Sequence, residues 1–542
     1  MKKRASALFF IALAALFLVL NRGAYQSYFQ DDELDNLSWA PFVSAREWLV
    51  GLFTPQFLPY NFRPAGHFFF FAAQRLFGLN FPAYAAVIQA IHFLNTWLIW
   101  MLARTLGCSR FAAGASAVFF ALNMAAFDAI WKPMYVFELL CATFCLLSIL
   151  LWIHNRWLWS FAAFWLAYKS KELAVMLPFV IALYELWFNP VKRRWLQLAP
   201  FFLAAVSFGI QGLAANGARG PDYTFQATPA SLWNTAVFYA SRLFLIPYAA
   251  FALPLLALLV RDRRVWWSLA AMALFFVPLL LLPGRLYPAY CYLPLAALAI
   301  TVGATAGHMR PFFVIALALL WFPWQIRQLR IDRRATLAIA EETKPYVRDV
   351  LAFAQTHPHP GAIIYDGLPL GYARWGVEGA FRIAFRDRTI NPVYLSGPEP
   401  LKLAQSGPIT LLLWDRPNRR ARFLVHRPGD PDASFIHMDQ APFWQLDSGW
   451  LERGGASHAT THLLEPATAK EFAVTLDVSP RLAAKGPDFH AIVNGRLLGD
   501  TKLTRAGIQT LRWPVSGGAD QSVRVAFDLS AGSVQILAFG FR

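Results

Sequence analysis

Four acidic side chains occupy five consecutive positions, Asp31, Asp32, Glu33 and Asp35, in the stretch YFQDDELDN. Carboxylates this close together can act as a base that takes a proton from an acceptor hydroxyl. They can hold a divalent cation that in turn holds a phosphate, or they can line an ion path. Standing alone, such a cluster is equally a solvated acidic loop.

The elements that must position these residues are mostly membrane helices. The chain has 542 residues, of which 57% are hydrophobic and 15% charged, too little polar surface for a soluble protein of this size. The apolar residues fall in blocks up to about residue 325, separated by short charged or Pro/Gly-rich joints. A polytopic α-helical membrane protein with a C-terminal soluble region is expected. Its parts are a transmembrane domain over 1–325, an amphipathic linker at the membrane over 326–360, and a soluble α/β region over 361–542. The net charge of +17 fits Lys and Arg collected in cytoplasmic loops. No basic stripe with interleaved aromatics points to nucleic acid. Cys108, Cys141, Cys145 and Cys291 lie in or beside apolar blocks, so no disulfide framework is expected. Cys141 and Cys145 share a helix face without a further ligand to complete a metal set.

The first apolar run reads as an uncleaved helix that leaves Lys2, Lys3 and Arg4 inside. Further spans are expected over 82–103, 111–126, 134–153, 157–168, 173–189, 196–214, 234–260, 265–282, 289–306 and 311–325, about eleven in all. The joints RTLGCSR, HNR, VKRR, RDRR and HMR then fall on the cytoplasmic side. QDDELDN, FDAIWK, YKSKE, ARGPDYT and PGRLYPAY fall on the outer face, which gathers the residues capable of chemistry. An odd number of spans puts the C-terminal region outside, against the preference of the basic QIRQLRIDRR that follows the last span. The segment 157–168 is short for a crossing. His92 and Asn95 read as interhelical hydrogen-bonding residues. In the soluble region GAIIYDG and ITLLLWD read as strands. From about residue 470 the pattern is β throughout, with Asn494-Gly495 at a hairpin turn, and a small β-sandwich or jelly roll is expected. The DPD of Asp430–Asp432 reads as turn chemistry.

Beyond the acidic loop, four stretches carry a family likeness: YNFRPAGHFFFFAAQRLF, FFALNMAAFDAIWKPMYVFELLCATF, SKELAVMLPFVIALYELW and GRLYPAYCYLPLAALAI. In this order, and on one face, they resemble membrane glycosyltransferases of the GT-C superfamily. The likeness is to the branch of protein O-mannosyltransferases and bacterial relatives that use polyprenyl-phosphate sugars, and it covers about residues 1–310. The resemblance implies an acidic pair in the first outer loop, one Asp of which is the base. Here that pair is Asp31-Asp32, or Asp32-Glu33 in the Asp-Glu form. It sets Arg63 in the family's Arg-Pro motif, Asp128 and Glu138 as further outer-face acids, and Lys171-Glu172 as its Lys-Glu pair. Arg285 and Tyr287 match an Arg-x-Tyr suited to a lipid-linked phosphate.

The residue types agree with that chemistry. Sugar transfer from a polyprenyl phosphate has a phosphate leaving group, which calls for cations rather than a general acid. Arg63, Lys171 and Arg285 are the candidates, with Glu172 and Tyr287 beside them. Asp31, Asp32 and Asp128 are the candidate catalytic carboxylates. The same three are a candidate site for a divalent metal ion, which the chemistry does not require. Displacement in one step inverts the anomeric centre. The implied partners are a polyprenyl-phosphate-linked sugar, membrane lipid, and an acceptor that is a protein, lipid or glycan. The implied place is the bacterial cytoplasmic membrane, with the active site and C-terminal region on the periplasmic side. The alternative is a membrane transporter or lipid flippase with outer-face acidic sites, although transporters place ionisable residues near the bilayer midplane. Taken singly, Arg63 is also an interfacial anchor, Asp128 a partner of Lys132 one turn on, Lys171 and Glu172 interface charges, and Tyr287 a member of an aromatic belt. P-loop and dinucleotide fingerprints are absent.

Overall fold

A computed structural model describes residues 2–54, 62–189, 194–216, 221–395, 399–426, 434–439, 446–451, 454–518 and 521–542. Asp430–Asp432 lies outside the described residues. The chain divides into two compact units. The first joins Met1–Thr356 to Gly367–Ile390 and Trp414–Ala421, and the second takes His357–Asp366, Asn391–Leu413 and Arg422–Arg542.

The first unit is helical. It runs α1 (Lys2–Asn21), α2 (Asp31–Trp39), α3 (Ala45–Phe53), α4 (Pro64–Phe77), α5 (Phe81–Thr105), α6 (Arg110–Leu122), α7 (Phe127–Trp131) and α8 (Val136–Ile153). It continues α9 (Trp157–Ser170), α10 (Leu177–Phe188), α11 (Trp195–Asn216), α12 (Pro229–Phe244), α13 (Leu253–Val260), α14 (Arg263–Leu280), α15 (Tyr292–Ala306) and α16 (Pro311–Thr356). A last helix, α17 (Arg374–Phe385), belongs to the same unit although it follows α16 by a strand and a loop. Starts are written in the sequence. Pro64, Pro82, Pro178, Pro229 and Pro254 each stand in the first two positions of a helix, where the missing N–H is not needed. Ser109, Thr228 and Asp262 cap α6, α12 and α14 with their side chains.

Each expected apolar span forms a helix, but they are not equivalent. Among the described residues six helices are long and apolar enough to cross a membrane, or eight if each of two bent pairs is one span. The count of eleven is larger by three: α11 counts only as a shorter apolar helix over Trp195–Gln211, and α9 and α10, with 14 and 12 residues, rise only about 21 and 18 Å at 1.5 Å per residue. The hydrocarbon core is about 30 Å thick. The span expected over 234–260 is one of the bent pairs. Leu245 and Tyr248 adopt left-handed backbone, φ 58° and 60°, and the chain turns by 88° between α12 and α13. The segment expected as a separate linker over 326–360 continues α16, a single helix of 46 residues.

Packing sorts the spans. The apolar windows of Pro288–Ala306 and Pro133–Ile153 are 89% and 72% buried, against 11% for α16, so α8 and α15 form the centre. Polar side chains tie that centre together. His92 Nδ1 lies 2.8 Å from Tyr292 Oη. Asn95 donates to Leu139 O at 3.0 Å and accepts from Thr143 Oγ1 at 2.7 Å, the interhelical role expected of both residues. The two ends of α5 differ in character. At its C-terminal end the joints RTLGCSR, RDRR and HMR meet: Asp262 accepts from Arg264 Nε at 2.9 Å and lies 2.8 Å from His308 Nε2, and Arg264 Nη1 lies 3.6 Å from Cys108 Sγ. At its N-terminal end Tyr84 packs on Phe29, just before the acidic stretch.

The second unit is β-rich. Strands β1 (Ala362–Asp366), β2 (Val393–Tyr394), β3 (Ile409–Asp415) and β4 (Arg420–His426) make a sheet in the order β2-β1-β3-β4, with β1 parallel to β2 and β3. A nine-stranded antiparallel sheet follows. It comprises β5 (Phe435–His437), β6 (Leu446–Leu451), β7 (Gly455–Glu465), β8 (Glu471–Val478), β9 (Asp488–Val493), β10 (Arg496–Lys502), β11 (Gly507–Pro514), β12 (Gln521–Leu529) and β13 (Val534–Phe541). It begins at Phe435, earlier than the alternation from about residue 470 announces. Asn494 and Gly495, φ 47° and 79°, turn β9 into β10, the paired positive φ of a two-residue hairpin. Inward positions alternate: Val523, Val525 and Phe527 of β12 pack with Phe472 and Phe539. The end strands of the main order meet, since a Cβ on Gly499 of β10 would fall 1.8 Å from Trp513 Nε1 of β11. β7 and β13 pair only at Ala456–Val534 and Gly455–Gln535, so the strands form two layers, β10-β9-β12-β7-β6 and β11-β8-β13-β5, that face each other across the core, as the expected sandwich does.

Candidate active site

The acidic stretch is the first turn of α2, and the helix gives its four carboxylates different surroundings. Glu33 closes a capping box: its carboxylate accepts the N–H of Gln30 while the Gln30 side chain accepts from the backbone of Glu33. Its other oxygen accepts from Met134 N–H at 3.3 Å. Burial pushes this carboxyl up to about 7, against the pull of the two N–H bonds and Lys132. Asp31 Oδ1 accepts from Ala373 N–H at 3.1 Å and from Gly376 N–H, both at the start of α17. Burial raises it to about 6 in spite of those bonds. Asp35 faces Arg382 Nη1 at 3.6 Å, and burial raises it to about 6 as well.

Asp32 is different. Among the described residues its carboxylate has no hydrogen bond or ion pair, and water reaches it. Enough protein surrounds it for desolvation to lift its pKa above the ordinary Asp value, while Arg285, Lys171 and Arg63 pull it down, in that order.

The three cations come from separate loops. Arg63 precedes α4 and its Nε meets Glu172 Oε1 at 2.9 Å, with its guanidinium 5.4 Å from the Phe137 ring centre. Burial acts against the charge on Glu172, but Arg63 and Lys171 hold its carboxyl down at about 2. Lys171 Nζ meets Glu138 Oε1 at 2.7 Å and lies 4.7 Å from the Tyr290 ring centre. Arg285 has no carboxylate partner among the described residues. It donates to Tyr290 Oη from Nε and Nη2 at 3.2 and 3.0 Å and lies over the rings of Tyr223 and Tyr287 at 4.4 and 5.0 Å. Tyr223 reaches it because the loop before α12 lies against Gly284, where a Cβ would fall 2.8 Å from Asp222 Cα. Arg63, Lys171 and Glu172 are thus fixed by ion pairs, whereas Arg285 is held by neutral aromatic groups.

Other expected residues have partners of their own. Asp128 pairs with Lys132 at 2.8 Å, one turn along. No three His, Cys, Asp or Glu side chains converge as a metal site among the described residues. Asp31, Asp32 and Asp128 are accordingly not gathered into one ligand set: Asp31 is taken up by backbone N–H groups and Asp128 by Lys132. Tyr287 is 40% exposed and its ring meets Tyr290 at 5.5 Å. Tyr290, which bridges Arg285 and Lys171, is a site residue that the Arg-x-Tyr pattern leaves out, although it follows Tyr287 by one helical turn. Tyr223 was marked only as part of the outer-face joint ARGPDYT, and Arg382, which arrives from a distant stretch, carried no local signal. A cavity of about 640 Å³ lies elsewhere, lined by apolar residues such as Phe9, Phe111, Phe119 and Trp321, and it includes none of these groups.

No protein-family model matches the chain, and no curated protein matches its sequence. Three solved structures are similar in shape. ArnT from Cupriavidus metallidurans in the apo state is 11% identical, with 78% of this chain and 98% of that chain covered and a TM-score of 0.47. ArnT bound to undecaprenyl phosphate is 12% identical over the same shares, with a TM-score of 0.46. The arabinofuranosyltransferase AftD from Mycobacteria is 12% identical, with 98% of this chain and 61% of that chain covered and a TM-score of 0.43.

Proposed function

We propose that this chain is an integral membrane glycosyltransferase of the kind its sequence resembles. It would move a sugar from a polyprenyl-phosphate donor to an acceptor hydroxyl on the outer, periplasmic face of the membrane, with Asp32 as the base. One observation carries the reading: a carboxylate unpartnered among the described residues faces three cations, and Arg285 among them has no carboxylate partner in those residues either.

The donor is a phosphodiester anion, and Arg285 offers it a guanidinium fork. Lys171 and Arg63, already fixed by Glu138 and Glu172, supply positive field that needs no reorganisation as charge builds on the leaving phosphate. The acceptor oxygen attacks the anomeric carbon while the bond from that carbon to the phosphate oxygen breaks. Asp32 takes the acceptor proton, and polyprenyl phosphate leaves with the bonding electrons. The anomeric centre inverts, and a second catalytic carboxylate is not required. A raised pKa suits Asp32 to this work, because a base is most effective when its pKa approaches the working pH. The ion-path alternative finds less support. Its ionisable groups would lie in mid-span, whereas Asp32 opens the short helix α2 and Arg63, Lys171 and Arg285 stand in joints between helices.

The test is release of free polyprenyl phosphate by the purified protein, given a panel of polyprenyl-phosphate sugars and an extract of outer-face acceptors. Release with at least one donor, dependent on the extract, is the expected outcome. Failure with every donor would remove the reading.

A further inference from the structure

We infer that α17 fixes where α2 holds the base, and that Gly379, Asp31 and Arg382 are its positioning residues. The inference rests on the reading of Asp32 as that base. Asp32 has no side-chain bond of its own among the described residues, so its place is set by the helix that carries it. One edge of α2 is fastened by Glu33 to Met134 N–H. The face formed by Asp31, Leu34 and Asp35, at i, i+3 and i+4, is covered by α17 with its sequence RWGVEGAFR.

The contact is closest at Gly379. A Cβ there would fall 2.5 Å from the carbonyl carbon of Leu34 and 2.6 Å from the nitrogen of Asp35. Those are backbone atoms, so no side-chain rotation relieves the clash. At Gly376 a Cβ would fall 2.6 Å from Asp31 Oδ1, the atom that accepts the N–H groups of α17's start. At the other end Arg382 lies between Asp35, at 3.6 Å, and Glu378, whose Oε2 it meets at 2.9 Å. The lead-in to α17 is itself anchored on α16: Leu370 N–H donates to Glu342 Oε2 at 2.8 Å, and the Tyr372 ring meets Tyr346 at 5.4 Å. A helix from the C-terminal third of the chain therefore sets the height and rotation of a helix from its first forty residues. Arg63, Lys171 and Arg285 are carried by other elements, so moving α2 displaces the base and leaves the phosphate side in place.

The test uses the full-length protein with Gly379→Ala, and Gly209→Ala as control, since nothing lies within 4 Å of a Cβ at Gly209. Misplacement of a catalytic group by 1 Å can cost about 100-fold in rate. Gly379→Ala is expected to lower kcat at least about tenfold, with the donor KM within about twofold of wild type. The control should match wild type in both. A merely structural defect would lower the fraction of active enzyme, read by single-turnover titration, without this split. Should Gly379→Ala fail to fold, Arg382→Gln decides. A kcat reduced at least about threefold at unchanged KM supports the inference, and an unchanged kcat overturns it. Transfer by wild type and Gly379→Ala at equal kcat overturns the inference alone, whereas no transfer by wild type removes the functional reading and this inference with it.

Discussion

Asp31 and Asp32 are the same residue type one position apart, and on a helix that step is a rotation of about 100°. The rotation separates a carboxylate buried under backbone N–H groups from one that faces Arg285, Lys171 and Arg63. The sequence shows that acids and cations gather on one face, because each sits at a recognisable helix boundary. It does not show which acid is left free, because that depends on α17 arriving some 340 residues later in the chain. Arg285 leads the charges that favour ionised Asp32. Removing it withdraws support from the carboxylate, so its pKa must rise. The acidic limb of kcat/KM, which reports the free enzyme's base, should lie above the ordinary Asp value of 3.8 in wild type. In Arg285→Gln it should move to still higher pH, alongside a lower kcat/KM. A limb that moves to lower pH would contradict this placement of the charges.

The acidic helix also has a measurable signature in stability. Burial raises Glu33 from 4.5 to about 7 and Asp31 and Asp35 from 3.8 to about 6. Each group therefore binds its proton more tightly in the folded state than in the unfolded chain. Stability is greatest below the unfolded values, falls as pH rises through the window from about 4 to about 7, and stays at the lower level above it. For fully buried Glu33 alone the fall is of order 3 kcal/mol. Relative to Glu33→Gln, wild type should accordingly gain melting temperature in detergent at pH 5.5 over pH 8. Glu33→Gln should flatten part of that slope, and an unchanged slope would assign the effect to other groups. The sequence reading places these acids in an outer loop, although Glu three residues after Gln30 and acids in the first turn mark a helix start. The partner of that helix was not marked, since Gly379 matters only through the backbone of Leu34 and Asp35, and Gly376 through the Asp31 carboxylate, both far away in sequence.

Across the whole chain, periodicity and hydropathy located every long helix and the late hairpin at Asn494-Gly495, because those depend on local pattern. They showed that 157–168 is short for a crossing, but not that α10 is short too, that Leu245 and Tyr248 bend one span by 88°, or that α17 joins the helical unit. Those features arise from tertiary packing. The sorting of basic joints to one end of α5 and the acidic helix to the other makes a prediction about sidedness. The native cysteines are buried, so introduced ones can be labelled selectively. A membrane-impermeant maleimide should label Arg46→Cys, on exposed α3, in intact cells. Arg310→Cys should react only after permeabilisation. The reverse pattern would put the site in the cytoplasm.

The most direct measurement is single-turnover release of polyprenyl phosphate by Asp32→Asn and Asp31→Asn, each compared with wild type at equal amounts of folded protein. Loss of a general base costs about 100-fold or more, and Asp32→Asn should show it. Asp31→Asn keeps an oxygen for Ala373 and Gly376 N–H and should retain at least about a tenth of the wild-type rate. Loss of release in Asp31→Asn with near-wild-type release in Asp32→Asn would contradict the assignment of the free carboxylate as the base.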